Sequence, residues 1–211
     1  MMGRTQKTDE TIYVVDDEPA VRDALAVVFE MEGFAVTGFE SGDAFLEAAK
    51  NRVPACVFLD VHMPGRSGLD ILKALNADHY PAPIFIISGQ GDIPMAVTAI
   101  KYGAFDFIEK PFDAGQIVDR VREALAAQAR RAEGDGHGAG VAADFPGRDL
   151  LTPRELEVLG QITAGASNKE AGRHLGISPR TIEVHRARIM EKLGARNAAD
   201  LVRIVLTGEH G

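Results

Sequence analysis

Over the first 130 residues, short stretches that are apolar at every position alternate with longer stretches that are apolar every third or fourth position. Tyr13-Val14-Val15, Cys56-Val57-Phe58-Leu59 and Ile84-Phe85-Ile86-Ile87 are short, rich in β-formers and apolar on both faces. Parallel strands covered on both sides read this way. Weaker strands fit Ala35–Phe39 and Phe105–Ile108. Helical spacing runs over Pro19–Glu32, Asp43–Lys50, Leu69–Ala77, Ile93–Tyr102 and Ala114–Ala132. Strands interleaved with helices predict an α/β domain with a doubly wound parallel sheet, whose ligands sit at the carboxyl ends of the strands.

The pattern breaks at residues 131–148, where glycines alternate with other residues in Gly-Asp-Gly-His-Gly-Ala-Gly. Such composition makes a flexible connector. The expected organisation is a first domain over 1–130, a linker over 131–148 and a second domain over 149–211. After the linker the periodicity is helical throughout. Thr152-Pro153-Arg154-Glu155 and Ser167 with Glu170 are capping boxes, Ser178-Pro179 starts a third helix, and Asn197 starts a fourth. Gly165, Gly176 and Gly194 stop the first three. The second domain is predicted to be all-α, a bundle of four short helices.

Charge sharpens this division. The 211 residues carry a net charge of -8, which discourages a nucleic-acid reading when taken whole. Residues 1–130 hold 12 Lys and Arg against 20 Asp and Glu, whereas 131–211 hold 11 of each. Within 172–196, six basic residues face two acidic ones. The acidity belongs to the first domain and a basic segment lies in the second. No apolar run approaches the ~20 residues of a membrane span and the first residues are polar, so the expectation is a cytoplasmic protein without a membrane partner. The single cysteine, Cys56, excludes an internal disulfide and reads as core.

Asp16 and Asp17 end the first predicted strand, Asp60 the third and Ser88 the fourth, and Lys110 follows the fifth. In a doubly wound sheet all converge on one edge. Clustered carboxylates repel, and a hard divalent cation, Mg²⁺, compensates them. A carboxylate beside such a cation can attack phosphorus, with Lys110 and Ser88 holding the phosphoryl oxygens.

Val15-Asp16-Asp17-Glu18, Leu59-Asp60-Val61-His62-Met63-Pro64-Gly65, Ser88-Gly89 and Phe107-Ile108-Glu109-Lys110-Pro111-Phe112 resemble the receiver domain of bacterial response regulators. The resemblance implies a flavodoxin-like (βα)5 fold with Asp60 as the acceptor of a phosphoryl group from a histidine kinase. It implies Mg²⁺ bound by Asp17, Asp60 and the main-chain carbonyl of His62, with Asp16 acting through water. It implies a switch formed by Ser88 and Phe107, a phosphoryl-binding Lys110, a cis Lys110-Pro111 bond, and dimerisation on phosphorylation through Ile93–Tyr102 and Phe105–Ile108.

Leu151-Thr152-Pro153-Arg154-Glu155, Ser167-Asn168-Lys169-Glu170 and Leu175-Gly176-Ile177-Ser178-Pro179-Arg180-Thr181-Ile182-Glu183-Val184-His185 resemble a LuxR-type helix-turn-helix. Together the two halves resemble transcriptional regulators of the FixJ/NarL class, which implies promoter DNA and RNA polymerase as partners. Helical spacing puts Ile182, His185, Ile189 and Leu193 on a core stripe and Arg180, Glu183, Val184 and Ala187 opposite, flanked by Arg186, Arg188 and Lys192. The flanks suit phosphates and the central face suits base edges, with Glu183 accepting from cytosine N4 and Val184 meeting a thymine methyl. Lys169 and Thr181 complete the candidate contacts. The last helix is expected to expose Leu201, Val202 and Val205 or their neighbours, which the resemblance implies help to pair two DNA-binding domains; by itself it reads equally well as a bundle helix.

One departure from the pattern is Ala171-Gly172, where a bulky aliphatic and Ala are usual. Glycine inside a helix costs ~1 kcal/mol relative to Ala, so Gly172→Ala is expected to raise the melting temperature. Two other readings stay open on the sequence: a phosphohydrolase with an aspartyl-phosphate intermediate, and a ligand-sensing regulator with the same DNA module.

Overall fold

The structure, a computed structural model, describes residues 11–89, 93–132 and 145–207. It comprises two compact units, Met1–Val121 and Arg122–Gly211. The division falls inside the helix Ala114–Ala132 rather than after it. Most of the expected linker, 133–144, lies outside the described residues.

In the first unit, β1 (Thr11–Val15), β3 (Cys56–Asp60) and β4 (Ile84–Ser88) are buried at every position, as strands covered on both faces must be. With β2 (Ala35–Phe39) and β5 (Asp106–Glu109) they form one parallel sheet in the order β2-β1-β3-β4-β5. Register aligns Val15 with Leu59 and Asp60 with Ile87, so Asp16 and Asp60 leave the sheet at one edge. Phe58 and Phe85 stack 5.0 Å apart on neighbouring strands, and Phe29 packs on Phe58 at 5.1 Å. Cys56 is fully buried and not in a disulfide, as core.

The connecting helices are α1 (Pro19–Met31), α2 (Gly42–Ala49), α3 (Gly68–Leu75), α4 (Ile93–Lys101) and α5 (Ala114–Ala132). A third helix reaching Ala77 is corrected: Asn76 turns left-handed (φ 51°) and stops α3 at Leu75, and a short 3₁₀ turn follows. Ser67 and Asp70 close a capping box at the start of α3. Gly68 is required there, because a Cβ would lie 2.3 Å from the Asp60 carbonyl oxygen. Only a glycine lets this loop close on the strand that carries Asp60.

The second unit contains α6 (Pro153–Thr163), α7 (Asn168–Leu175), α8 (Pro179–Leu193) and α9 (Ala198–Thr207). Thr152, Ser167 and Ser178 cap the first three, and Asn197 accepts the Asp200 N–H at the fourth. Gly176 and Gly194 end α7 and α8 in left-handed conformation, and Gly165 lies one residue beyond the C-cap of α6. Val158, Leu159, Ile162, Ile182, Ile189 and Leu193 make the core with α9. In α9 Leu201, Ile204 and Val205 are buried, as in a bundle helix, while Val202 is partly exposed and Leu206 is the exposed apolar residue. The period of this helix turns the 201–204–205 stripe inward.

Gly172 also overturns an expectation. A Cβ there would lie 2.6 Å from the carbonyl oxygen of Ile177, so glycine lets α7 approach the turn into α8.

Candidate functional site

The sheet edge holds two buried carboxylates joined by one ammonium. Asp16 is fully buried and Asp60 nearly so. Lys110 Nζ lies 2.8 Å from Asp16 Oδ2 and 2.9 Å from Asp60 Oδ1. The second oxygen of Asp60 accepts the His62 backbone N–H at 2.6 Å, and Asp16 Oδ1 accepts the Glu18 N–H at 2.9 Å. The backbone of Lys110 is tied to the end of β4 by donation to the Ser88 carbonyl at 2.8 Å. The Lys110-Pro111 bond is cis.

Burial raises the Asp60 carboxyl above its ordinary range, and the nearby Asp16 charge adds to this; hydrogen bonding and charge from Lys110 pull it back. Burial works against the Lys110 ammonium, but its hydrogen bonds to Asp16 and Asp60 outweigh that and raise its pKa. One lysine thus serves two carboxylates. The pocket keeps an excess of negative charge on hard oxygens, a donor chemistry that fits Mg²⁺.

The other expected members lie around this pair. Ser88 is fully buried, its Oγ 3.5 Å from His62 Nδ1 and 3.8 Å from Met95 Sδ. The His62 side chain is otherwise exposed. Phe107 is buried on β5. Asp17 is partly exposed. Among the described residues no three His, Cys, Asp or Glu side chains come together as a ready metal cluster; Lys110 stands between two of the expected carboxylates.

Arg22 was not anticipated. Its Nη1 donates to the carbonyl oxygens of Asp16 at 2.6 Å and Asp17 at 3.1 Å, clamping the backbone that presents both carboxylates. The absent side chain of Gly38 makes room for its stem: a Cβ there would lie 3.3 Å from Arg22 Cδ. The sequence signal was available in an arginine one turn into the helix that follows the acidic pair.

On α8 the expected DNA contacts separate into two sets. Glu183 and Ala187 are exposed, Arg180 and Arg186 partly so, and Lys169 on α7 is exposed. Thr181 and Val184 are buried instead, Thr181 with its hydroxyl 2.8 Å from Ser178 Oγ. Arg188 and Lys192 turn to the buried Glu155 of α6, at 3.3 and 2.7 Å. Burial runs against the expectation that Thr181 and Val184 face DNA, whereas Arg188 and Lys192 stay partly exposed on the side of the helix that places cations opposite Glu155. His185 is buried with both ring nitrogens unpartnered, and burial first, then Arg154, Arg188 and Lys192, lower its pKa to about 3.

A parallel sheet with an Asp–Lys–Asp edge, followed by a bundle presenting a partly basic helix, defines a receiver coupled to a helix-turn-helix: a response regulator. Residues 12–122 match the response regulator receiver domain, and residues 149–205 match the bacterial regulatory proteins of the luxR family. The transcriptional regulatory protein FixJ of Bradyrhizobium diazoefficiens is 43% identical over 196 residues, covering 92% of this chain and 94% of that protein. FixJ of Rhizobium meliloti is 42% identical over 205 residues, covering 97% and 98%. The crystal structure of full-length FixJ from B. japonicum superposes with a TM-score of 0.58 at 41% identity, over 93% of this chain and 96% of that one. The chain belongs to the FixJ-like response regulators, and it is a transcriptional regulator rather than an enzyme. No helix among the described residues is long and apolar enough to cross a membrane.

Proposed function

We propose that this regulator is switched by phosphorylation of Asp60 and then binds promoter DNA as a dimer. The observation that carries the reading is Lys110 bridging Asp16 and Asp60 at the carboxyl edge of the sheet. An Asp60 carboxylate oxygen attacks the phosphorus of a phosphohistidine on a cognate kinase; the new O–P bond forms as the P–N bond breaks, and the imidazole leaves with the bonding pair and takes a proton. Asp17, Asp60 and the His62 main-chain carbonyl, with Asp16 through water, would hold Mg²⁺, which would supply charge neutralisation for the phosphoryl oxygens. Lys110 transfers its hydrogen bond from the carboxylate to a phosphoryl oxygen, and the Ser88 hydroxyl donates to another.

The modification adds about −1.5 to −2 charges in the pocket. Ser88 moving to meet them leaves Met95 and opens space beside β5 that Phe107 takes up. The surface of α4 and β5 shifts, and two copies pair there. Acidic receiver surface repels DNA unless the two domains are held apart, so that acidity contributes to control. DNA is then met by Lys169, Arg180, Glu183, Arg186 and Ala187, and RNA polymerase is the partner at the promoter. The setting is the cytoplasm, where kinase and DNA are both accessible.

The test is selection of DNA from a random pool with and without acetyl phosphate and Mg²⁺, using the intact chain and Asp60→Asn. The intact chain should enrich an inverted repeat far more strongly when phosphorylated and should sediment as a dimer. Asp60→Asn should take up no phosphoryl group and lose the enhancement. Phosphate-dependent DNA affinity that survives in Asp60→Asn refutes the mechanism.

A further inference from the structure

Asn168, the first residue of α7, sits between two α8 side chains that the DNA reading treats separately. Its amide nitrogen donates to Glu183 Oε1 at 3.2 Å, and its amide oxygen accepts from Arg186 Nη1 at 3.2 Å. Glu183 and Arg186 are neighbours three residues apart on one helix face, where opposite charges commonly pair. Among the described residues no ion pair joins them directly; the amide is interposed. An amide suits this place because it donates from one atom and accepts at another. The Asn168 backbone is itself fixed, since Ser167 and Glu170 close a capping box around it. The carboxylate direction is therefore set from α7, across the helix-turn-helix, and not by α8 alone.

We propose that Asn168 is a positioning residue for base readout. It aims the exposed Glu183 carboxylate at an amino group on a base edge, cytosine N4 rather than adenine N6, whose neighbouring N7 acceptor repels a carboxylate, and it steadies the Arg186 guanidinium beside it for the DNA backbone. This rests on the DNA-binding reading above. A carboxylate free to swing accepts from several donors or from water, so the expected consequence of losing Asn168 is loss of base discrimination with sequence-independent affinity kept.

The experiment is DNA selection with the full phosphorylated chain, comparing wild type, Glu183→Ala, Asn168→Ala, Asn168→Asp and the Glu183→Ala/Asn168→Ala pair, each checked for folding by its thermal melt. Wild type should show a cytosine preference at a position where Glu183→Ala shows none. Asn168→Ala should reduce that preference roughly tenfold while other positions keep theirs. Asn168→Asp, which loses the donor and repels Glu183, should do the same with Arg186 still accepted. The double variant should discriminate no worse than Glu183→Ala alone. If wild type enriches no sequence, the DNA reading falls and the inference with it. A site enriched by wild type and by Asn168→Ala with equal cytosine preference overturns the inference alone.

Discussion

Lys192 of α8 reaches across the helical unit to Glu155 of α6, with Nζ 2.7 Å from a fully buried carboxylate oxygen. Arg188 approaches the other oxygen at 3.3 Å, and the Thr152 N–H donates at 2.8 Å to the oxygen that Lys192 holds. Glu155 is thus both the reciprocal member of a capping box and the counter-charge that fixes the orientation of α8.

Removing that carboxylate leaves two cations facing a buried void. Glu155→Ala should destabilise the helical unit by about 3–5 kcal/mol, the usual cost of breaking a buried pair from one side. Glu155→Gln, which can still accept the Thr152 N–H, should lose less. Urea unfolding followed by far-ultraviolet circular dichroism measures both, and equal losses in the two variants would refute the charge role.

Gly172→Ala should lower the melting temperature despite the better helix propensity of alanine. Propensity offers ~1 kcal/mol, but the added Cβ meets a backbone oxygen at 2.6 Å, and overpacking of this kind costs about 1–3 kcal/mol. The clash wins because backbone, unlike a side-chain tip, cannot swing away. A rise in melting temperature would show that the α7–α8 turn relaxes freely.

These two cases mark where sequence reading stops. β1, β3 and β4 were legible because burial on both faces writes itself as unbroken apolar runs, whereas the largely exposed β2 left only a weaker signal. Asp16, Asp60, Ser88 and Lys110 were legible because strand ends converge by topology. The inward turn of Thr181, Val184, Arg188 and Lys192 was not, since a helix packed on two sides shows no single polar face and Glu155 lies far away in sequence. Arg22 was missed because its partners are main-chain carbonyls, which any residue supplies. Gly172 was misjudged for the same reason: propensity is local, while the Ile177 carbonyl arrives from the following turn.

His185 should make the helical unit acid-sensitive. Its folded pKa lies near 3 and its ordinary value at 6.5. The unfolded chain therefore binds a proton that the folded chain refuses. Stability is intact above pH 6.5 and falls by about 1.4 kcal/mol per pH unit as pH drops from there toward 3. His185→Leu keeps the volume and removes the titration, so its urea midpoint should depend less steeply on pH than that of wild type between pH 6.5 and 4.5. Parallel profiles would assign the acid loss to other groups.

Lys110 should show the opposite pH dependence. It is the shared counter-charge of Asp16 and Asp60, so Lys110→Met leaves two buried carboxylates without it. At neutral pH the receiver unit should lose about 3–5 kcal/mol. The Asp60 carboxyl is already raised by burial and held down by Lys110, so without the lysine it rises further. A folded pKa above the unfolded value means that the folded state takes up the proton more readily, and stability returns as pH falls. Lys110→Met should therefore recover part of its loss between pH 7.5 and pH 5. Adding Asp60→Asn, which removes one charge outright, should recover it at pH 7.5 as well. Urea unfolding of the single and double variants at both pH values checks this. A Lys110→Met deficit that is the same at both pH values and untouched by Asp60→Asn would show that the lysine acts by packing alone.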